Sequence, residues 1–287
     1  MKTTYKYEIF NKQNISDKEL TKKEKFRIYR DVLYGSLLQK QKGDARRVEN
    51  AYDSGIYKHL KQIKVWNLSL DDLLHLDFAN VDEQNKEIIY ENKNRLVRNY
   101  RNTIWDKWQD EFIKKITRFI KQDDDIVELG CGYGRNLFVL KNYGIKNRMS
   151  GYDISSNAIE VAQQINKKFD MGMDFGVFDY TQKLEMDLRG KTVFTYASLE
   201  QVKYGLEKAI DNIINAQPKQ IIHFETIPQL LDNNFHKLMV TLNRYRKDYP
   251  TKLLNILQQK QVTITHMETN EICTGILNPI MMIRYIV

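Results

Sequence analysis

Asp125-Ile-Val-Glu-Leu-Gly-Cys-Gly-Tyr-Gly-Arg135 is the stretch that decides how this chain is read. Ile126 to Leu129 is a short apolar run, partly β-branched, that stops at a glycine cluster; this predicts a buried strand. Gly130, Gly132 and Gly134 follow at alternate positions, and Asn136 to Tyr143 then reads as the start of a helix. Strand, glycine turn and helix together predict a unit that binds a nucleotide-like ligand. Glycine is needed there because the backbone turns sharply and a ligand comes close, which side chains would block. A dinucleotide fingerprint, Gly-x-Gly-x-x-Gly, would need a glycine where Arg135 stands. What stands instead is Glu128 near the strand end, followed by the glycines at 130, 132 and 134.

Outward from this stretch, strands alternate with helices. Arg148 to Ile154 predicts a second strand ending at Asp153, and Ser155 is placed to cap a helix running to Phe169. Further strands are expected over Met173 to Phe178, Thr192 to Ala197 and Gln220 to Phe224, with a helix over Lys203 to Ala216. That alternation implies right-handed crossovers and a parallel sheet. Asn234 to Lys260 reads as helix broken at Pro250. Val262 to Glu268 and Met281 to Val287 read as strands with no helix between them.

Upstream, Thr21 to Gln41 predicts a helix whose apolar face is Phe26, Tyr29, Leu33 and Leu37, with Thr21 and Glu24 as a capping box. A second helix is expected over Ala45 to Ile63, with Val48, Tyr52 and Ile56 in step. Ser69 is placed to cap a short third one. Residues 80–93 read as a polar connection. Asn94 to Lys121 carries the longest helical pattern, through Leu96, Tyr100, Ile104, Trp108, Phe112 and Ile116. The first 20 residues are polar with aromatic Tyr5, Tyr7 and Phe10, an arm whose packing the sequence leaves open.

Composition narrows the function classes. The chain has 287 residues, 42% of them hydrophobic, and only 4 prolines, which suits a helix-rich α/β protein. Net charge is +8, yet the cations are spread along the chain and interleaved with acids, as on solvated helix faces, so nucleic acid is not favoured as a partner. Cys131 and Cys273 make no disulfide framework, and Cys131 reads as a small residue fitting the glycine turn. With no apolar leader and no run of membrane-spanning length, a cytoplasmic location without a membrane partner is expected.

The Glu128-x-Gly130-x-Gly132-x-Gly134 pattern, followed by Asp153 and Asp179 at the next two strand ends, resembles the class I S-adenosylmethionine (SAM) methyltransferases. The resemblance implies an α/β Rossmann-like sheet, mostly parallel with an antiparallel last strand. It implies a helical N-terminal region or cap over 1–120 and a SAM-binding domain over 121–287. SAM is then the expected cofactor. Gly130, Gly132 and Gly134 would approach its amino-acid part and ribose, and Glu128 would meet its ammonium or fix the turn. Asp153 would accept from the ribose hydroxyls or cap the following helix, with Ile154 against the adenine. Phe178 and Asp179 would hold the adenine. Tyr100, Arg101 and Trp105 would lie on a preceding helix that covers the cofactor, Trp105 more simply packing the two parts together, and either Arg101 or Arg135 would pair with the methionine carboxylate.

The acceptor would lie beyond the next strand ends. Tyr196-Ala-Ser-Leu-Glu-Gln-Val202 has no Asp/Asn-Pro-Pro-aromatic box, which argues against amino methylation of DNA bases. The segment is similar to that of sugar or other small-molecule methyltransferases. Tyr196 and Gln201 are candidate substrate-binding residues. Glu200, His223 and Glu225 are candidate catalytic residues, the last two on one face of a strand. His223 is a candidate base for a hydroxyl, or a buried core histidine. The two glutamates offer an alternative, recognition of a cationic amine or guanidinium; no resident metal is expected. The expected reaction is methyl transfer to a small polar acceptor, most simply a sugar-like hydroxyl, with N-methylation second and a non-catalytic SAM- or nucleic-acid-binding module third. A homodimer stays open.

Overall fold

A computed structural model describes residues 16–38, 57–62, 65–75, 86–202, 204–247 and 249–287. The N-terminal elements are β1 (Lys18–Glu19), α1 (Lys22–Leu38), α2 (Lys58–Gln62), α3 (Leu70–Leu74), β2 (Glu87–Asn92), β3 (Arg95–Tyr100) and α4 (Arg101–Ile116). Then come β4 (Ile126–Leu129), α5 (Arg135–Asn142), β5 (Met149–Asp153), α6 (Ser156–Phe169), β6 (Asp174–Val177) and β7 (Thr192–Tyr196). The chain ends with α7 (Leu206–Asn215), β8 (Gln220–Glu225), α8 (Asn234–Lys247), α9 (Leu253–Gln259), β9 (Thr263–Thr269), β10 (Ile272–Cys273) and β11 (Met281–Ile286).

Seven strands form one sheet in the order β6-β5-β4-β7-β8-β11-β9. Neighbours from β6 through β8 pair in parallel, while β11 runs antiparallel to both β8 and β9. This is the expected α/β Rossmann-like sheet with an antiparallel end. Central strands β4 and β8 are buried throughout, as strands covered on both faces must be. Successive residues serve opposite faces. Ile126, Phe194, Ile222 and Met282 join the core beneath α4, α5 and α6, whereas Val127, Val193, Ile221 and Met281 join the core beneath α7, α8 and α9. The chain leaves β4 towards β5 and β6, then returns to place β7 on the other side of β4. That reversal opens a crevice at the carboxyl ends of β4 and β7.

The N-terminal part departs from the expected run of helices. Arg95–Tyr100 is a strand, and the helix read from Asn94 begins only at Arg101. The connection expected over residues 80–93 contains another strand, β2, paired antiparallel with β3. Lys93 and Asn94 turn between them with φ of 50° and 60°, as a two-residue hairpin turn requires. Leu96 and Tyr100 fell on the helical stripe because a spacing of four also keeps two residues on one face of a strand. β1 and β10 flank this hairpin, giving a four-stranded sheet in the order β1-β3-β2-β10. β10 lies between the last two strands of the large sheet, so the C-terminal segment ties the two sheets together.

Helix α1 forms as expected, with Thr21 and Glu24 capping each other: the Glu24 amide donates to Thr21 Oγ1 at 3.2 Å and the Thr21 amide to Glu24 Oε2 at 2.9 Å. Its buried side is a correction. Val32 and Ser36 are buried against the body, while Phe26, Leu33 and Leu37 are exposed. The periodicity specifies a helix, but α8 decides which stripe is covered. A Cβ on Gly35 would lie 2.6 Å from Cδ of Arg246, so the two helices close on the glycine side. Ser69 caps α3, accepting from the Asp72 amide at 3.1 Å. The aromatic arm with Tyr5, Tyr7 and Phe10, the stripe Val48, Tyr52 and Ile56, and residues 80–85 lie outside the described residues. Among those described, no helix is long and apolar enough to cross a membrane.

Candidate functional site

The glycine turn needs each of its glycines for a separate reason. Gly130, Gly132 and Gly134 have φ of +74°, +54° and +83°, where side chains are strained. A Cβ on Gly130 would also stand 2.4 Å from Cβ of Ser198, and one on Gly132 would stand 2.6 Å from the Tyr57 hydroxyl. Gly134 opens α5. The amides of Gly130 and Cys131 donate to the Tyr152 carbonyl at 2.7 and 3.0 Å, which ties the turn to β5. Cys131 is buried, and burial pushes its thiol well above the usual range, with Asp153 and Glu128 adding to this; it is a space-filling residue.

A cavity of about 350 Å³ opens over this turn, the size of a small-molecule site. Asp153 lines it, with Oδ2 accepting from the Gly132 amide at 2.8 Å and Oδ1 from the Ser155 amide at 2.9 Å. The helix cap is Ser155 itself, whose Oγ accepts from the Ala158 amide at 3.0 Å. Ile154 and Asp179 also line the cavity, and Asp179 Oδ1 accepts from the Thr181 amide at 2.7 Å. Phe178, expected against the adenine, does not line it. It is buried behind Tyr180, ring centroids 4.8 Å apart, and Tyr180 faces the cavity.

Glu128 lies under the turn, fully buried, accepting from Asn136 Nδ2; its Oε2 has no hydrogen-bond partner. Burial holds its carboxyl well above the usual range. Tyr100 and Arg101 do not line the cavity: Tyr100 ends β3 outside it and Arg101 is buried at the helix start. Trp105 and Trp108, further along the same helix, take that position. The Trp105 Nε1–H is buried without a hydrogen-bond partner, and the Arg135 guanidinium lies 4.2 Å from the Trp105 ring centroid. Three positive-φ glycines, an orphaned donor and an arginine around one cavity fit a ligand with a carboxylate at one end.

At the other end, β7 gives way to Ala197 (φ +49°) and a single 3₁₀ turn over Leu199–Gln201. Glu225 builds this turn from below. Its Oε1 accepts from the Ser198 and Leu199 amides at 3.1 and 3.0 Å and from Thr195 Oγ1 at 2.9 Å, and its Oε2 accepts from the Glu200 amide at 3.3 Å. Burial, then the Glu200 charge, push its carboxyl up to about 7, while these donors favour the charged form. His223 is fully buried between Thr195 (2.9 Å) and the Tyr285 hydroxyl (3.0 Å), and burial pushes it down to about 3. Neither His223 nor Glu225 lines the cavity. As candidate catalytic groups both are corrected, because inward alternation on a strand buried on both faces leads into the core.

Glu200, Gln201 and Tyr196 do line the cavity. Glu200 is engaged: Arg244 Nη1 donates to its Oε2 at 3.0 Å, and Arg244 itself is held by the Pro250 carbonyl. The Tyr196 hydroxyl accepts from the Trp108 indole. Among the described residues, no three His, Cys, Asp or Glu side chains stand together to hold a metal. Tyr57, Tyr133, Ser198 and Thr274 line the cavity without having been expected. Ser198 carried a usable signal, a small residue next to the Leu-Glu-Gln turn; Tyr57 and Thr274 reach the site only through long-range packing.

Known proteins share this fold. No curated protein matches the sequence. Among solved structures, the chain is similar to magnesium protoporphyrin IX methyltransferase (ChlM) from Synechocystis PCC 6803. With bound S-adenosylhomocysteine (SAH) that structure is 12% identical with a TM-score of 0.53, over 85% of this chain and 100% of that one. With bound SAM it is 11% identical with a TM-score of 0.51, over 86% and 99%. A SAM-dependent methyltransferase from Aquifex aeolicus is 10% identical over 61% of this chain and 89% of its own, with a TM-score of 0.45. Residues 120–276 match the family described as a methyltransferase domain, which takes in more than half of the chain. The chain therefore belongs to the methyltransferase-domain family and is a SAM-dependent methyltransferase.

Proposed function

We propose that the chain methylates a small molecule through an oxygen that is already ionised or readily ionised, such as a carboxylate or an acidic hydroxyl. The observation that carries this reading is the state of the acids and bases at the acceptor end. Glu225 is sealed by backbone and hydroxyl donors, His223 is enclosed in the core, and Glu200 is paired with Arg244. A sugar hydroxyl has to lose its proton to a positioned base during transfer, and such a base must be within reach of the acceptor. An acceptor that arrives as a nucleophile needs only alignment, which can supply much of the rate.

Electrostatics favour an anion over the cationic acceptor considered above. Glu200, the acid of the acceptor wall, is already paired with Arg244 at 3.0 Å, so that wall offers a cationic acceptor no uncompensated carboxylate. SAM supplies an electrophilic methyl on a sulfonium centre. In this reading Gly130, Gly132 and Gly134 admit it and Asp153 and Asp179 hold its ribose and adenine. Arg135 and the Trp105 indole meet its carboxylate, and Tyr57, Trp105 and Trp108 from the N-terminal region close over it. Tyr196, Gln201 and Glu200 form the wall facing the acceptor.

The test is SAH release from a panel of carboxylic acids, phenols, sugars and amines, after SAM binding has been measured by calorimetry. Turnover is expected with the acids and acidic phenols, rising with pH through the acceptor's own pKa. Turnover confined to sugars or amines would overturn the reading.

A further inference from the structure

We propose that the outward face of the layer formed by α1 and α8 is a docking surface for anionic lipid membranes. The proposal does not depend on the acceptor argued above. These two helices pack on each other, with Tyr29 edge-on to Phe235 at 5.1 Å, and both turn large apolar side chains to solvent. On α1 these are Phe26 (68% exposed), Leu33, Tyr34 and Leu37 (81%); on α8 they are Phe235, Leu238 and Tyr245. Isolated exposed hydrophobics need no explanation, but seven of them on two helices that pack on each other mark an interaction surface.

The charges beside the patch indicate what covers it. Phe26, Leu33 and Leu37 share one line along α1, and Lys23, Arg27 and Arg30 form the adjacent stripe, all three exposed. Arg30 pairs with Asp31 at 2.7 Å. Glu24, the other acid of α1, is drawn back to the body by Arg98 and Thr21. An apolar stripe beside a cationic stripe suits the boundary between acyl chains and anionic headgroups, where long cationic side chains reach the headgroups. A second copy fits less well, because an isologous contact through this patch would bring the Lys23–Arg27 stripes of both copies together.

Full-length chain is mixed with vesicles of phosphatidylglycerol and phosphatidylcholine in equal parts, and with phosphatidylcholine alone, and sedimented at low and high salt. Sedimentation with the anionic vesicles only, weakening as salt rises, is expected. Leu33→Glu with Leu37→Glu should weaken it by about tenfold or more through lost insertion. Lys23→Glu with Arg27→Glu should weaken it by a similar ~tenfold factor through lost attraction to the headgroups. Both pairs are exposed, so SAM affinity should be retained and reports correct folding. The proposal is overturned if the chain ignores anionic vesicles at low salt, or if the leucine variant binds them as well as the parent chain. It is equally overturned if the leucine variant merely converts a dimer to a monomer.

Discussion

The two ends of one cleft are built on different terms. At the cofactor end the requirement falls on the backbone: three glycines with positive φ, and Asp153 joined to the Gly132 amide. At the acceptor end it falls on side chains that meet from distant parts of the chain, with Glu225 shaping a turn from β8 and Arg244 reaching from α8 to Glu200. The glycine turn of the first end leaves little room for other residue types and is written in a few neighbouring positions. The second is written across the fold, and its acids serve architecture before chemistry. Acids at strand ends are thus not evidence of catalysis until their partners are known.

The glycine turn is the most sensitive point of the cleft. Gly130→Ala places a Cβ 2.4 Å from that of Ser198 at a φ of +74°. Strain and clash together should cost roughly 3 kcal/mol in urea unfolding, and the displaced turn should bind SAM about tenfold or more weakly by calorimetry. Affinity within a few-fold of the parent would show that the backbone is not what holds the cofactor end.

At the acceptor end the larger effect should be on stability. Arg244→Met leaves Glu200 buried beside its lost partner, which typically costs about 3–5 kcal/mol in urea unfolding. Adding Glu200→Gln should recover much of that loss, since the uncompensated charge is then gone. If Arg244→Met unfolds at the parent's urea midpoint, the pair is not the support proposed for that wall.

The smallest effect separates architecture from catalysis. His223→Asn should leave turnover with saturating substrates within about threefold and the pH–rate profile unmoved, because the imidazole is enclosed and never the base. Its signature lies in stability. The folded group titrates near 3, below the ordinary 6.5 of the unfolded chain. Between these values only the unfolded state takes the proton. Stability is therefore full above about 6.5 and falls as pH drops towards 3, by up to about 1.4 kcal/mol per pH unit from this group. Unfolding of His223→Asn at pH 7 and pH 5 should lack that part of the slope; a collapse of kcat in this variant would return His223 to the reaction.

Much of the sheet was legible. β4 spans the expected residues, Ser155 caps α6 as read, and the final antiparallel pair follows from two apolar runs without a helix between them. The hairpin of β2 and β3 was not, because Lys93-Asn94 is a weak turn signal and the residues after it satisfy a helical stripe equally well. On α1 the period was right and the buried face wrong.

By itself, the sequence determined the parallel sheet and the glycine turn with its acids at the next two strand ends. Those features depend on local conformation and on repeating short-range patterns, which neighbouring residues encode. Long-range packing, not local pattern, turns Trp105 and not Arg101 to the cleft, puts His223 and Glu225 beneath it and binds Glu200 to Arg244. Burial, ion pairing and the choice of helix face arise from contacts between residues far apart in the chain. A residue's type records what it can do, and its tertiary partners decide which of those things it does.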